Sequence, residues 1–80
     1  MTTLETVKAA MADLVKGAIP DDASLMMELG MDSIDWAELM IGLGEKYKRD
    51  PEDLSDLALK RASQTMTLTP RTIAEAIDGL

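Results

Sequence analysis

Apolar residues recur along the first segment as Leu4, Val7, Met11, Leu14 and Val15, the three-four spacing that lines one face of a helix. Glu5, Lys8, Asp13 and Lys16 take the other face. With Thr2 or Thr3 as cap, this pattern predicts a first helix running to about Lys16, where Gly17 stops it. Periodicity is then lost until Asp32. Pro20-Asp21-Asp22 marks a long turn-rich loop in which Ala18 and Ile19 are expected to tuck against the core. Leu25, Met26, Met27 and Leu29 are expected to anchor that loop, with a short turn of helix, before Gly30 punctuates it.

Asp32 is placed to cap a second helix that begins at Ser33, with Leu39, Leu43 and Tyr47 at steps of four as its inward stripe. Asp35 and Glu38 fall in its first turns, where carboxylates meet the positive end of the helix dipole. Gly42 and Gly44 lie inside the same helix at a cost of about 1 kcal/mol each relative to alanine. Close approach of another helix and local flexibility both account for them at this level. Asp50-Pro51 pairs a capping carboxylate with a proline at the first helical position. It predicts a third helix to about Lys60 or Arg61, with Leu54, Leu57 and Leu59 partly buried. Ala62 to Leu68 is rich in hydroxyl residues and reads as a loop. Thr69-Pro70 starts a last helix in which Ile73, Ala76, Ile77 and Leu80 face inward. With no strand signal, no repeat and no linker, residues 1–80 are expected to form one all-α domain, a small four-helix bundle with a long loop between helices 1 and 2.

Composition narrows the chemistry. A bundle of 80 residues has little room for a deep catalytic pocket. The chain has no cysteine and no histidine, so thiolate chemistry, disulfides and the commonest metal ligand and neutral-pH base are missing. No catalytic residue and no metal site are expected, and an enzyme is not. The net charge of -7 resides between Met1 and Glu45, where nine carboxylates face only Lys8 and Lys16; beyond Glu45 the charges balance. Such a half-chain repels phosphate backbones, which speaks against nucleic acid, and attracts proteins with basic patches. No apolar run reaches the length of a membrane span and MTTLETVKAAM lacks a signal-peptide design, so a cytoplasmic protein is expected.

The segment Glu28 to Tyr47, ELGMDSIDWAELMIGLGEKY, carries the chemical signal. Its serine opens a helix after a glycine-containing loop, which exposes the hydroxyl. Neighbouring backbone N–H groups there lack helical partners, so a phosphate ester on Ser33 is electrostatically reasonable. LGMDSIDWAEL resembles the phosphopantetheine attachment motif of acyl carrier proteins, in which Asp-Ser-Leu or Asp-Ser-Ile follows a leucine-glycine pair. The first helix, the acidic loop and the last helix, TPRTIAEAI, are similar as well, so the likeness covers most of the chain.

The resemblance implies a bundle of acyl-carrier-protein type in which Ser33 holds a 4'-phosphopantetheine arm taken from coenzyme A by a phosphopantetheinyl transferase. The arm would carry acyl groups as thioesters between enzymes of a fatty-acid, lipid or specialised, polyketide-like pathway. It further implies that Asp32 orients the serine and docks the transferase. Asp35 and Glu38, with exposed Ile34 and Ile41, would form the face that acyl-loading and acyl-transferring enzymes read, and a shuttling carrier works best as a monomer. Trp36 stands where the family usually has a smaller residue, and it is assigned to the arm or a partner. Lys46, Lys48 and Arg49 make the end of the second helix basic, unlike the general fatty-acid carrier, and the third-helix region is longer than the common pattern. Both features favour a dedicated pathway. Met26, Met27, Met31 and Met40 are read as core filling ahead of an acyl-lining pocket. The alternatives are a peptidyl or aminoacyl carrier, disfavoured by Asp32 and the acidic helix, and an unmodified carrier-like interaction module. A serine hydrolase lacks its base.

Overall fold

The computed structural model describes all 80 residues and holds four helices and no strand: α1 (Thr3–Met11), α2 (Ser33–Tyr47), α3 (Pro51–Thr65) and α4 (Pro70–Asp78). Each begins at a side-chain cap of the type its sequence announces. Thr2 and Glu5 form a reciprocal capping box at α1, and Asp32 and Asp35 form another at α2. Asp50 and Thr69 accept from the backbone N–H of Glu52 and Thr72 at α3 and α4, each followed by a proline at the first helical position.

The helices form a ring in which α1 packs against α2 and α4, and α3 packs against α2 and α4. One buried cluster joins them: Val7 and Met11 from α1, Leu39, Met40 and Leu43 from α2, Leu54 and Ala58 from α3, and Ile73, Ala74 and Ile77 from α4. Val15, Leu25 and Met31 complete it from the segment between α1 and α2. Burying a leucine such as Leu25 contributes on the order of 2 kcal/mol, which fastens an otherwise irregular segment. Of the expected anchors Leu29 is half-buried, while Met26 and Met27 stay exposed. The single turn they occupy is capped by Ser24, whose hydroxyl accepts from the Met27 N–H and whose own N–H donates to Glu28. Ile19 packs on the core but Ala18 is exposed.

Two boundaries differ from the expectation. Helix α1 ends at Met11 rather than near Lys16, because the N–H groups of Leu14 and Val15 both converge on the Met11 carbonyl, which tightens the chain into a turn that still buries Val15. Gly17 follows at φ +87°, a left-handed conformation suited to glycine. Helix α3 runs through Ala62 to Thr65, which sequence alone reads as loop. The Ser63 and Thr65 hydroxyls fold back onto carbonyls of the preceding turn, and Arg61 pairs with Glu75 of α4 at 3.2 Å. Within α3 the core positions are Leu54 and Ala58, one turn apart. Leu57 and Leu59 flank that stripe and remain 37% and 48% exposed, so the core position that follows Leu54 is an alanine. In α4, Ala74 is buried where Ala76 is only half-buried, and Leu80 beyond the helix end is exposed.

The two interior glycines of α2 separate. A Cβ on Gly44 would stand 2.7 Å from the Arg49 carbonyl oxygen and 3.4 Å from Pro51 Cγ, so the chain turning into α3 requires a glycine there. A Cβ on Gly42 meets nothing within 4 Å.

Candidate functional site

Ser33 is positioned from both sides of the loop-to-helix junction. Gly30 takes φ +70°, and Met31 follows it into the core with its N–H donating to the Leu25 carbonyl at 3.0 Å. With Met31 buried, Asp32 emerges in an extended conformation as the cap. Its carboxylate accepts from the Asp35 N–H at 2.9 Å, while Asp35 accepts from the Asp32 N–H at 3.4 Å. Ser33 is therefore the first residue of α2. Its side chain is exposed and its hydroxyl makes no hydrogen bond; the N–H groups of Ser33 and Ile34 likewise have no intramolecular partner.

Ile34, Glu38, Ile41 and Glu45 recur at the spacing of one helical stripe and all face solvent, with Ile34 68% and Ile41 51% exposed. Two apolar side chains thus alternate with two carboxylates along the exposed side of α2. Asp35 takes part in the helix cap. None of Asp32, Asp35, Glu38 and Glu45 is in an ion pair, and neither are Lys46, Lys48 and Arg49 at the far end of the helix, so α2 presents an acidic beginning and a basic end. Lys48 terminates it in the left-handed region at φ 56°.

Trp36 turns away from that surface. It packs against the core, and its indole N–H donates to the Ser55 hydroxyl of α3 at 3.0 Å. Beside it lies an apolar groove of about 280 Å³ between α2 and α3, where Trp36, Ala37, Met40 and Ile41 face Pro51 and Ser55. Of the methionines near the site, Met31 and Met40 are core, whereas Met26 and Met27 are exposed and fill no core volume.

Of the face expected from the resemblance, Ile34, Glu38 and Ile41 lie on one exposed stripe, with Ser33 and the Asp32–Asp35 cap at one end of it. Sequence reasoning misses the α3 side of the groove. An indole N–H that leaves water needs an acceptor, but the chain separation between Trp36 and Ser55 hides which one. Also missed is the clip that holds the acidic loop: Lys8 reaches Asp21 at 2.8 Å, and Arg71 reaches Asp22 at 2.8 Å and Asp21 at 3.4 Å. The Lys8 hydrogen bond, helped by the charges of Lys8 and Arg71, holds the Asp21 carboxyl below its ordinary range, and Asp22 raises Arg71. No buried side-chain polar atom lacks a hydrogen-bond partner, so the interior shows no unfilled polar site. No protein-family model, no curated protein and no solved structure matches this chain.

Proposed function

We propose that the chain is an acyl carrier protein, with Ser33 as the attachment point of a 4'-phosphopantetheine arm drawn from coenzyme A. The observation that carries this reading is the exposed Ser33 hydroxyl, free of any hydrogen bond, at the first position of a well-capped helix. The sequence LGMDSI around it supports the same reading. When bound, the arm supplies a thiol to a chain that has no cysteine.

The chain's own contribution at the junction is placement. The cap holds the Ser33 backbone, and the unpaired N–H groups of Ser33 and Ile34 favour a phosphate by about 0.3–1 kcal/mol at an exposed helix start. Asp32 and Asp35 oppose it by a similar amount, since two unit charges 4 Å apart interact by about 1 kcal/mol in water. The terminus is therefore close to neutral toward the phosphate, and the covalent bond holds the arm. Recognition by the transferase and by acyl-loading and acyl-transferring enzymes falls to the Ile34–Glu38–Ile41–Glu45 stripe. Carboxylates there steer basic patches to the helix and the isoleucines supply contact area.

The test is an intact mass before and after incubation with coenzyme A and a broad-specificity phosphopantetheinyl transferase, with Ser33→Ala in parallel. One phosphopantetheine gained on the native chain alone is the expected result. A folded native chain that gains nothing, from a transferase active on a control carrier, counts against the reading and favours an unmodified interaction module.

A further inference from the structure

Helix α3 meets its two neighbours with different faces. Pro51, Glu52 and Ser55 line the groove it shares with α2, whereas Leu57, Lys60, Arg61 and Gln64 recur at helical spacing on another side and face Glu75, Ala76 and Gly79. Together they form a second, open groove of about 350 Å³ between α3 and α4. Because α2 and α4 do not pack against one another, this groove lies away from the Ile34–Glu38–Ile41–Glu45 stripe. Arg61 is held across it: Nε donates to Glu75 of α4 and Nη1 to Gln64 of α3, both at 3.2 Å. Those bonds use two of the five guanidinium N–H donors and leave the others unused. Lys60 beside it is exposed and in no ion pair.

We infer that the α3–α4 groove is a second docking surface, which takes an acidic amphipathic helix of a partner protein and so has the opposite charge preference to α2. Charge decides the class. Among the lining residues Lys60 and Arg61 outnumber Glu75, whose carboxylate Arg61 already engages, although the whole chain carries a net charge of -7. A basic segment would meet Lys60 unopposed, and a wholly apolar one would cover Lys60 and the unused Arg61 donors without giving them partners. Spacing decides the element. Leu57, Arg61 and Gln64 follow one another at four and three residues along α3, so a helix laid beside them meets them with its own positions one turn apart. A closed apolar cavity of about 150 Å³ holds one benzene, so an open groove of about 350 Å³ receives about two side chains. These are an aliphatic group over Leu57 and Ala76 and, one turn on, a carboxylate at Arg61 and Lys60. Since the groove and the stripe lie on different sides, the chain can hold this partner while α2 stays free for another, whether or not Ser33 is modified.

The experiment follows backbone amide shifts of the unmodified native chain on titration with two synthetic helical peptides of one design. The first carries leucine and glutamate one turn apart along a single face; the second has lysine in place of every glutamate. The glutamate peptide is expected to move the amides of Leu57, Arg61 and Ala76 and to leave Ile34 and Ile41 still, while the lysine peptide moves Ile34 and Ile41 instead. Lys60→Glu is expected to weaken the glutamate peptide about tenfold, since an exposed ion pair is worth up to about fivefold and the reversal adds repulsion. Glu75→Gln keeps an acceptor for Arg61 but removes the competing carboxylate, so it is expected to tighten the same peptide about threefold, which loss of a merely structural contact would not do. Silence of the groove amides toward the glutamate peptide overturns the inference, as does equal movement of Ile34 and Ile41 or an affinity unchanged in Lys60→Glu. Neither coenzyme A nor a transferase enters the measurement, so failure of Ser33 loading and failure of this docking surface are read separately.

Discussion

Exchanging each interior glycine of α2 for alanine should move stability in opposite directions. Alanine is favoured over glycine in a helix interior by about 1 kcal/mol. At Gly42 the new methyl meets open space, so Gly42→Ala should realise most of that gain. At Gly44 the methyl would lie 2.7 Å from the Arg49 carbonyl oxygen. That neighbour is backbone in a tightly held turn, since the N–H groups of Lys48 and Arg49 both donate to the Gly44 carbonyl. Relieving the overlap means moving the start of α3 away from α2, and overpacking of this kind costs about 1–3 kcal/mol. Set against the propensity gain, the net loss is about 1 kcal/mol. For a domain of this size each kcal/mol shifts the thermal midpoint by about 4–8 °C, so the two variants should differ by roughly twice that. Thermal unfolding followed by circular dichroism measures it. A Gly44→Ala variant as stable as Gly42→Ala would refute the close approach of the turn into α3.

Ser33→Ala should leave folding within about 0.5 kcal/mol of the native chain, because the hydroxyl is exposed and unbonded, while abolishing the mass gain with coenzyme A; severe unfolding would show a structural serine instead. Glu38→Lys should slow modification by a basic-patched transferase without changing helicity, whereas Asp35→Lys should also cost about 1 kcal/mol through the lost cap; modification kinetics unchanged in both would remove α2 as the docking face. Acid should release the long loop before the bundle. Asp21 has a depressed pKa when folded, so its contribution is present above its unfolded pKa and disappears as the pH falls through the folded value. Glu5, lowered by the Thr2 backbone N–H and then its side chain, behaves alike. Arg71 is raised, so its contribution fades only in strong alkali. Amide protection between Ile19 and Met31 should therefore drop below about pH 4 while Leu43 and Ile73 stay protected, and a uniform loss would contradict the clip.

Helix starts were legible because a cap is a local event: a threonine or aspartate followed by a proline or by a carboxylate three residues on fixes the chain within one turn. Helix ends were less so. Met11 ends α1 through two amides sharing one carbonyl, and α3 continues to Thr65 with Arg61 bonded to α4, which lies outside any local window. Burial within α3 also escaped a hydropathy reading. The two flanking leucines outrank Ala58 on any apolar scale, yet α3 meets α2 and α4 along the Leu54–Ala58 line, and a small residue there lets the helices come close.

The candidate site divides the same way. Asp32 was readable as the cap of α2 and Asp35 as a carboxylate of its first turn, because a cap is local; the face of Ile34, Glu38 and Ile41 came from the resemblance, and those three side chains lie on one exposed stripe. Trp36 shows where such reasoning stops. Its helical position sets the direction in which the indole leaves α2, but its role depends on Ser55, Pro51 and Glu52, which the turn at Gly44 brings alongside. The feature that distinguishes this chain within its proposed class is therefore tertiary. The Trp36 indole packs on the core, lines the α2–α3 groove and donates its N–H to a serine on the next helix, so its orientation depends on Ser55. Replacing Ser55 tests that dependence without touching α2, since the indole keeps its apolar contacts and loses only the bond that orients it.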